Sequence, residues 1–486
     1  MQARFYTLPW RMTKGGFYIP SLFCSCTVYF QFTKYVIQSI IVKISLLERS
    51  KAMRKDFPDI ISDSQTVKRT ICLLNDSFPP LIDGVSNTVM NYAEHLQKLG
   101  HEVIVITPAN PNAEDHAYPF PIQRYPSIAT NKFEGYPAGI PFSPDIARYI
   151  RDKKIDLIHV HCPVASAVMA RQLQQITNAP IVFTYHTKFD VDIRHILKSK
   201  SLQALAQKVL VENISACDEV WAVSNGAGEN LHSLGYEGEY FVMPNGVDMP
   251  RGKASPETIA AATAGYDLPH DVPVYLFVGR MMWYKGLQIL LDALTMLQTA
   301  KKDFRMVFIG DGDNREEIQG YADQCGLSQK CFFIGAIHDR ELLRGWYSKA
   351  DLFLFPSTYD TNGLVVREAA ACSLASVLIQ GSCAAEGVID GRNGFLVEEN
   401  ADSLANRLSI LTQENMHTVG ETAGKELYLS WACAVKQAAE RYEVIIDRYQ
   451  HEGSETPKNS MDIIIKMNAE LMNALGKIPS IRKKQS

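Results

Sequence analysis

Short, almost wholly apolar runs separated by longer amphipathic stretches constrain this chain more than any single motif. They lie at 71–74, 103–106, 157–160, 181–185, 220–223 and 241–243, and the rhythm restarts at 274–278, 306–309, 331–334, 352–355, 377–379 and 395–397. A strand covered on both faces needs apolar residues at every position rather than at every second one, so these runs read as buried parallel strands. The segments between them carry a helical period, as in Val85, Val89, Ala93 and Leu96, and supply the crossovers that a parallel sheet requires. The expectation is an α/β chain of two tandem Rossmann-like, doubly wound domains facing a cleft. Ligands of open α/β sheets bind at the carboxyl ends of the strands, so function is to be sought there.

The boundaries follow. The first domain spans 66–248 and the second 266–415, with 249–265, dominated by small and polar residues after the turn Pro244-Asn245-Gly246-Val247-Asp248, read as a linker. The extension 1–65 differs from the rest. Residues 15–33 are uncharged and aromatic-rich but diluted by Pro20, Gln31 and several Ser, Thr and Cys residues, which argues against a clean transmembrane helix. Gln31, Lys34, Gln38 and Ser45 recur near helical spacing, so the segment reads either as an interfacial helix or as an upstream extension without a stable fold, Met53 offering a second start. No small-residue cleavage site marks a secretory signal. A formal net charge of −4 argues against a globally basic nucleic-acid binder. Ten cysteines, from Cys24 to Cys433 with no CxxC, read as thiols of a reducing compartment rather than a disulfide framework.

Among the strand-end loops, Asp360-Thr361-Asn362-Gly363-Leu364-Val365-Val366-Arg367-Glu368 is the most informative. It follows an apolar run and opens an Ala-rich helix. Asp360 falls in the loop, Gly363 permits close backbone approach, and Glu368 lies about a turn into the helix, so two carboxylates can serve sugar hydroxyls while the free N–H groups at Gly363 and Leu364 suit phosphate oxygens. In the loop after 274–278, Arg280 and Lys285 stand five residues apart and can together neutralise a diphosphate. The spacing is not that of a P-loop. Gly84 opens a helix after the loop that begins at Asn75, either for close ligand approach or as an ordinary turn glycine. Gly310-Asp311-Gly312 lacks the third glycine of a dinucleotide fingerprint and reads as a tight turn. His186 ends a strand at the cleft side, where it can hydrogen-bond a hydroxyl or a developing charge. His159 and His161 share a strand face, but no third metal ligand of suitable spacing accompanies them.

These residues carry a resemblance. From about Thr70 to Tyr449 the chain resembles the family 4 retaining glycosyltransferases of the two-Rossmann GT-B architecture. The matching motifs, in order, are Gly84-Val85, Asp156-Leu157-Ile158-His159-Val160-His161, Thr184-Tyr185-His186, Val223-Ser224, Pro244 to Asp248, Gly279-Arg280 with Lys285-Gly286, Pro356-Ser357 leading to Glu368, and Gly391-Arg392-Asn393-Gly394. The resemblance implies that Arg280 and Lys285 hold the donor diphosphate and that Glu368, last residue of the Glu-x7-Glu motif, binds the ribose. Its first position contacts the transferred sugar. Here that position is Asp360, one methylene shorter, which keeps the charge and alters the reach. It further implies that His186 touches the donor sugar, that the Gly84 loop approaches the donor phosphates, that no metal or other cofactor is required beyond the nucleotide-sugar co-substrate, and that attack is front-face. In that scheme the leaving diphosphate assists deprotonation of the acceptor hydroxyl. Helices at 416–450 are expected to return to the first domain, with Val435, Ala438, Tyr442 and Ile445 as the packing stripe, and 451–486 reads as a mobile tail, mostly polar apart from Met461 to Leu475, that ends in Arg482-Lys483-Lys484.

The partners implied are a UDP- or GDP-sugar donor and a sugar or glycolipid acceptor, without nucleic acid. Lys188, Arg194, Lys198, Lys200 and Lys208, against Asp190 and Asp192, form either a solvated helix face or a basic face for peripheral contact with the inner side of a membrane by a cytoplasmic enzyme. Two alternatives stand beside the transferase: a nucleotide-sugar epimerase on the same architecture, and a non-catalytic glycosyltransferase-like binding subunit, to which Asp360 is the pointer.

Overall fold

The computed structural model describes residues 67–128, 136–189, 193, 194, 197–454 and 461–477. The readings made for residues 1–65, for Asp190 and Asp192, and for Arg482 to Lys484 lie outside the described residues.

Two parallel sheets are present. The first comprises β1 (Thr70–Leu74), β2 (Glu102–Pro108), β3 (Ile122–Tyr125), β4 (Leu157–Val160), β5 (Ile181–Tyr185), β6 (Glu219–Ala222) and β7 (Phe241–Val242), arranged β3-β2-β1-β4-β5-β6-β7. The second comprises β8 (Val274–Val278), β9 (Arg305–Ile309), β10 (Cys331–Gly335), β11 (Leu352–Phe355), β12 (Ser376–Ile379) and β13 (Phe395–Val397), arranged β10-β9-β8-β11-β12-β13. Both follow the doubly wound order, so both reverse direction at one place: between β1 and β4, where Ile71 pairs with Leu157, and between β8 and β11, where Tyr275 pairs with Leu352. Strands β1, β4, β5, β8 and β11 are buried almost throughout, which is why their sequences are continuous apolar runs rather than alternating ones.

The helices used below are α1 (Gly84–Lys98), α2 (Pro144–Arg151), α3 (Ala165–Thr177), α4 (Lys200–Ser215), α5 (Asn225–Ser233), α6 (Pro256–Thr263), α7 (Arg340–Lys349), α8 (Leu364–Ala371), α9 (Trp431–Glu452) and α10 (Asp462–Gly476). The 249–265 stretch read as the linker contains a helix, α6. Ser255 caps α6 by accepting from Thr258 N, Pro256 occupies the first turn, and the helix packs on α7, where a Cβ on Gly345 would stand 2.7 Å from Ala262 Cβ. Small residues are there for close packing rather than for flexibility.

Helix α9 belongs to the core of the first domain. Val435, Ala438, Tyr442 and Ile445 are buried with Ile71, Leu73, Val89 and Tyr92, and Tyr442 stacks on Trp221 with ring centroids 5.4 Å apart. The tail is also ordered over 462–476: α10 packs on α2 and α3, and Arg148, Arg151 and Arg171 bind its ends. The expectation of a mobile tail fails for this segment because its inward face, Ile465, Ala469 and Met472, is buried. The eight described cysteines are free thiols, with Cys433 alone exposed.

Candidate active site

The loops that follow β1, β4, β8 and β11 flank the two points of reversal, and they carry most of the residues singled out above. In the second domain the loops after β8 and β11 touch through their backbones. Gly286 has φ +75°, and a Cβ there would stand 2.2 Å from Pro356 O, so only glycine allows the approach. That contact delivers Lys285 into the interior. Its side chain is 8% exposed and its Nζ lies 2.6 Å from Asp360 Oδ1, while Asp360 Oδ2 accepts from Ser357 Oγ at 2.6 Å. The rings of Tyr284, Phe355 and Tyr359 surround the ammonium at 5.7–5.8 Å. Arg280 remains exposed, with its guanidinium 6.0 Å from the Tyr284 ring centre. The two cations thus differ in kind: one is buried and already paired, and the other faces solvent.

Gly310 and Gly312 support this loop rather than a ligand. A Cβ on either would strike the backbone of Gly279 or Met281, at 2.0 and 2.6 Å from their carbonyl oxygens, and Met281 N donates to Asp311 O at 2.9 Å. Gly363, at φ +61°, starts α8 without a side-chain cap, and a Cβ would meet Ala384 Cβ at 2.8 Å. The first turn therefore presents main-chain N–H groups. Glu368 is mostly buried and held at both oxygens, by Arg340 Nη2 at 2.7 Å and by Tyr347 Oη at 3.0 Å. Burial first, then the neighbouring Glu368 charge, push the Tyr347 phenol well above its ordinary range, so it stays a donor. Neither Arg340 nor Tyr347 was legible beforehand. An Arg 28 positions upstream of a Glu carries no sequence signal that they meet.

On the first domain, His186 leaves the end of β5 and His161 leaves the end of the adjacent β4. Their rings stack, with His161 Nδ1 3.0 Å from His186 Nε2. His159 is engaged at both nitrogens, by Tyr442 Oη at 2.6 Å and Thr184 Oγ1 at 2.7 Å, so its part is structural. Among the described residues no group of three or more His, Cys, Asp or Glu side chains could hold a metal ion. At the start of α1, Asp83 Oδ1 accepts from Val85 N and Ser86 N, so those donors are spent, whereas the Cβ direction of Gly84 is open. The domains meet beside His186. Thr361 Oγ1 donates to His186 O at 2.7 Å, Ser224 Oγ to Thr361 O at 2.5 Å, and Asn362 Nδ2 to Val223 O at 2.9 Å. Glu386 caps α5 from across the cleft, accepting from Asn225 N at 2.7 Å and Gly226 N at 2.6 Å. Lys188 also turns inward, to Thr358 O at 3.3 Å, and so takes part in neither the solvated face nor the basic face read for this run.

Burial holds all three histidines neutral: it drives His159 and His161 well below the ordinary value and His186 down to about 3, with Asp83 pulling weakly the other way. In the unfolded chain each protonates near pH ~6.5. The unfolded state therefore binds more protons below that pH, and stability is lost as pH falls from ~6.5 towards 3. The slope is about 1.4 kcal/mol per pH unit for each histidine. Urea denaturation at pH 7, 6 and 5 should show a falling midpoint. A midpoint unchanged between pH 7 and 5 would show that these rings are not held neutral.

Residues 82–251 match the family model described as Glycosyltransferase Family 4, and residues 261–425 match that described as Glycosyl transferases group 1. The chain belongs to the family 4 glycosyltransferases. It is 25% identical to the alpha-monoglucosyldiacylglycerol synthase of Acholeplasma laidlawii over 351 residues, covering 70% of this chain and 87% of that one. It is 26% identical to a GDP-mannose-dependent alpha-mannosyltransferase of Corynebacterium glutamicum over 340 residues, 68% of this chain and 76% of the relative. Among solved structures, a glycosyltransferase from Rickettsia africae superposes with a TM-score of 0.61 at 22% identity, covering 78% of this chain and 99% of that one. That likeness concerns the fold: this family 4 enzyme has the GT-B architecture.

Proposed function

We propose that this glycosyltransferase moves a hexosyl residue from a nucleoside-diphosphate sugar to a hydroxyl of a membrane glycolipid acceptor, with retention of anomeric configuration. The observation that carries the reading is the juxtaposition of His186, through Thr361, with the loop that holds the buried Lys285–Asp360 pair and opens α8. One side of that loop suits a diphosphate and the other a sugar. The bond from the sugar C1 to the diphosphate breaks, the bond to the acceptor oxygen forms on the same face, and the acceptor proton passes to an oxygen of the departing diphosphate. Lys285, Arg280 and the N–H groups at the α8 start stabilise the charge that develops on the leaving group. His186, with its pKa near 3, is too weak a base to accept that proton at neutral pH and serves as a hydrogen-bonding group to the sugar. Glu368, oriented by Arg340 and Tyr347, receives the ribose hydroxyls.

The acceptor reading rests on the name of the Acholeplasma relative, a diacylglycerol glycoside synthase, and on the exposed Lys198, Lys200 and Lys208. Among the described residues no helix is long and apolar enough to cross a membrane, so the contact proposed is peripheral, on the cytoplasmic face. The test is incubation of the full chain with UDP- and GDP-sugars and glycosyl diacylglycerol acceptors. Release of nucleoside diphosphate should accompany transfer of labelled sugar to lipid, and the product anomer, read by NMR, should match the donor. Interconversion of donor sugars without transfer would make it an epimerase, and donor binding without turnover a binding subunit.

A further inference from the structure

His161 stands one residue past the end of β4, and its surroundings fix its ring. Its main-chain N donates to Leu74 O at 2.9 Å, which carries the pairing of β1 with β4 one step further. The His159 ring lies 4.0 Å away between centroids, and the Tyr92 ring meets it edge-on at 5.4 Å. The residue is 2% exposed. Of its two ring nitrogens, Nδ1 meets His186 Nε2 at 3.0 Å, while Nε2 is sealed from solvent and has no hydrogen-bond partner. His186 differs. Beyond that one contact its Nδ1 has no partner among the described residues, and it is not sealed. His186 O is already engaged, accepting from Thr361 Oγ1 at 2.7 Å.

A contact between two imidazoles needs one N–H and one bare nitrogen, and a neutral ring carries a single proton. Both rings are neutral, because they are buried and among the described residues no carboxylate is hydrogen-bonded to either. Two arrangements satisfy the contact. If His186 Nε2–H donated, His161 Nδ1 would be bare and its proton would sit on Nε2, a sealed N–H without an acceptor. If His161 Nδ1–H donates, the atom left over is only a bare lone pair. As with backbone groups, a buried N–H without an acceptor is rarer than an acceptor short of a donor, so the second arrangement is the favoured one. It puts the His186 proton on Nδ1, the accessible nitrogen. A neutral N–H there can bind a sugar oxygen without adding positive charge beside a ring that itself becomes cationic as its bond to the diphosphate breaks.

We propose that His161 is a positioning residue: by donating from Nδ1 it holds His186 in the Nδ1–H tautomer, so that His186 donates to an oxygen of the donor sugar rather than accepting from a hydroxyl. This rests on, and deepens, the reading of His186 as the group that meets the sugar. The full chain, isotope-labelled at the histidine nitrogens, is observed by long-range proton–nitrogen correlation NMR, the His186 signals being those that vanish in His186→Ala. Parent His186 should show a protonated Nδ1 and a bare Nε2. UDP-glucose or GDP-mannose should shift its Nδ1, and UDP or GDP alone should not. In His161→Leu the preference for Nδ1–H should be lost, and kcat, followed as nucleoside diphosphate release, should fall about tenfold with donor KM changed less than about twofold. His161→Asn, whose amide can donate to Nε2, should restore the tautomer and most of kcat. Melts of both variants are compared with that of the parent, and the parent spectrum decides the tautomer even if His161→Leu does not fold. A parent His186 protonated at Nε2 overturns the proposal, as does parent kcat in a folded His161→Leu protein. Equal losses in both variants with the His186 tautomer unaltered would reduce His161 to a packing residue. The underlying reading fails separately: full turnover in His186→Ala, or an Nδ1 shifted equally by UDP and UDP-glucose, takes the ring off the sugar whichever nitrogen carries the proton.

Discussion

Lys285→Ala is expected to lower kcat/KM by roughly ten- to 150-fold, the equivalent of a charge-assisted contact of about 1.5–3 kcal/mol, and to destabilise the fold as well. The second effect comes from Asp360. Its carboxylate is bound to Lys285 Nζ and Ser357 Oγ, and removing the ammonium leaves a half-buried charge with one hydroxyl for a partner. Breaking a fully buried pair costs about 3–5 kcal/mol. The Asp360 side chain is 24% exposed, so water takes part of the load and about 1–3 kcal/mol is expected. Lys285→Ala/Asp360→Ala removes both partners and should recover most of the lost stability without recovering turnover. Thermal denaturation and steady-state kinetics on the single and double variants check both halves. Full turnover in a folded Lys285→Ala protein would remove the residue from the site, and additive losses of stability would show that the pair is not coupled.

The extent to which this could be read beforehand follows from sequence separation. Parallel strands buried on both faces leave a local signature, and the expected runs fall on the observed strands to within a residue or two: 71–74 on Thr70–Leu74, and 220–223 on Glu219–Ala222. The two tandem doubly wound domains were legible for the same reason, because a rhythm that starts again at 274 requires a second sheet, and the GT-B name came with the family resemblance. Capping is local too, and Ser255-Pro256 carried the signal for α6, but composition masked it. The site was legible as a set of strand-end residues and illegible as a set of contacts. Lys285 meets Asp360 across 75 positions, Asn225 meets Glu386 across 161, and His161 meets His186 only because β4 and β5 are neighbours. The docking of α10 was hidden likewise, since Arg148 and its partner at Gly476 are 328 positions apart.

The two carboxylates of the Asp360–Glu368 motif should separate by ligand. Glu368→Ala removes the acceptor for ribose hydroxyls, which the donor and the free nucleoside diphosphate share, so both should bind about 10–150-fold more weakly. The same change leaves the buried Tyr347 hydroxyl without its acceptor and should cost about 1–3 kcal/mol of stability. Glu368→Gln, which keeps an oxygen for Tyr347, should restore most of the stability and is the control for misfolding. Asp360→Ala acts in the opposite sense on the diphosphate. In the free enzyme Asp360 neutralises Lys285 at 2.6 Å, so a diphosphate must compete with a carboxylate for the ammonium. Without Asp360 the cation is released to the phosphates. Affinity for the free nucleoside diphosphate should then hold or rise, while affinity for the intact donor falls through loss of the sugar contact. Isothermal titration calorimetry of each variant with donor and with nucleoside diphosphate reads the difference directly. Parallel losses for both ligands in Asp360→Ala would mean that the carboxylate supports the phosphate site rather than the sugar, and that its pairing with Lys285 organises the loop for binding instead of holding the cation back.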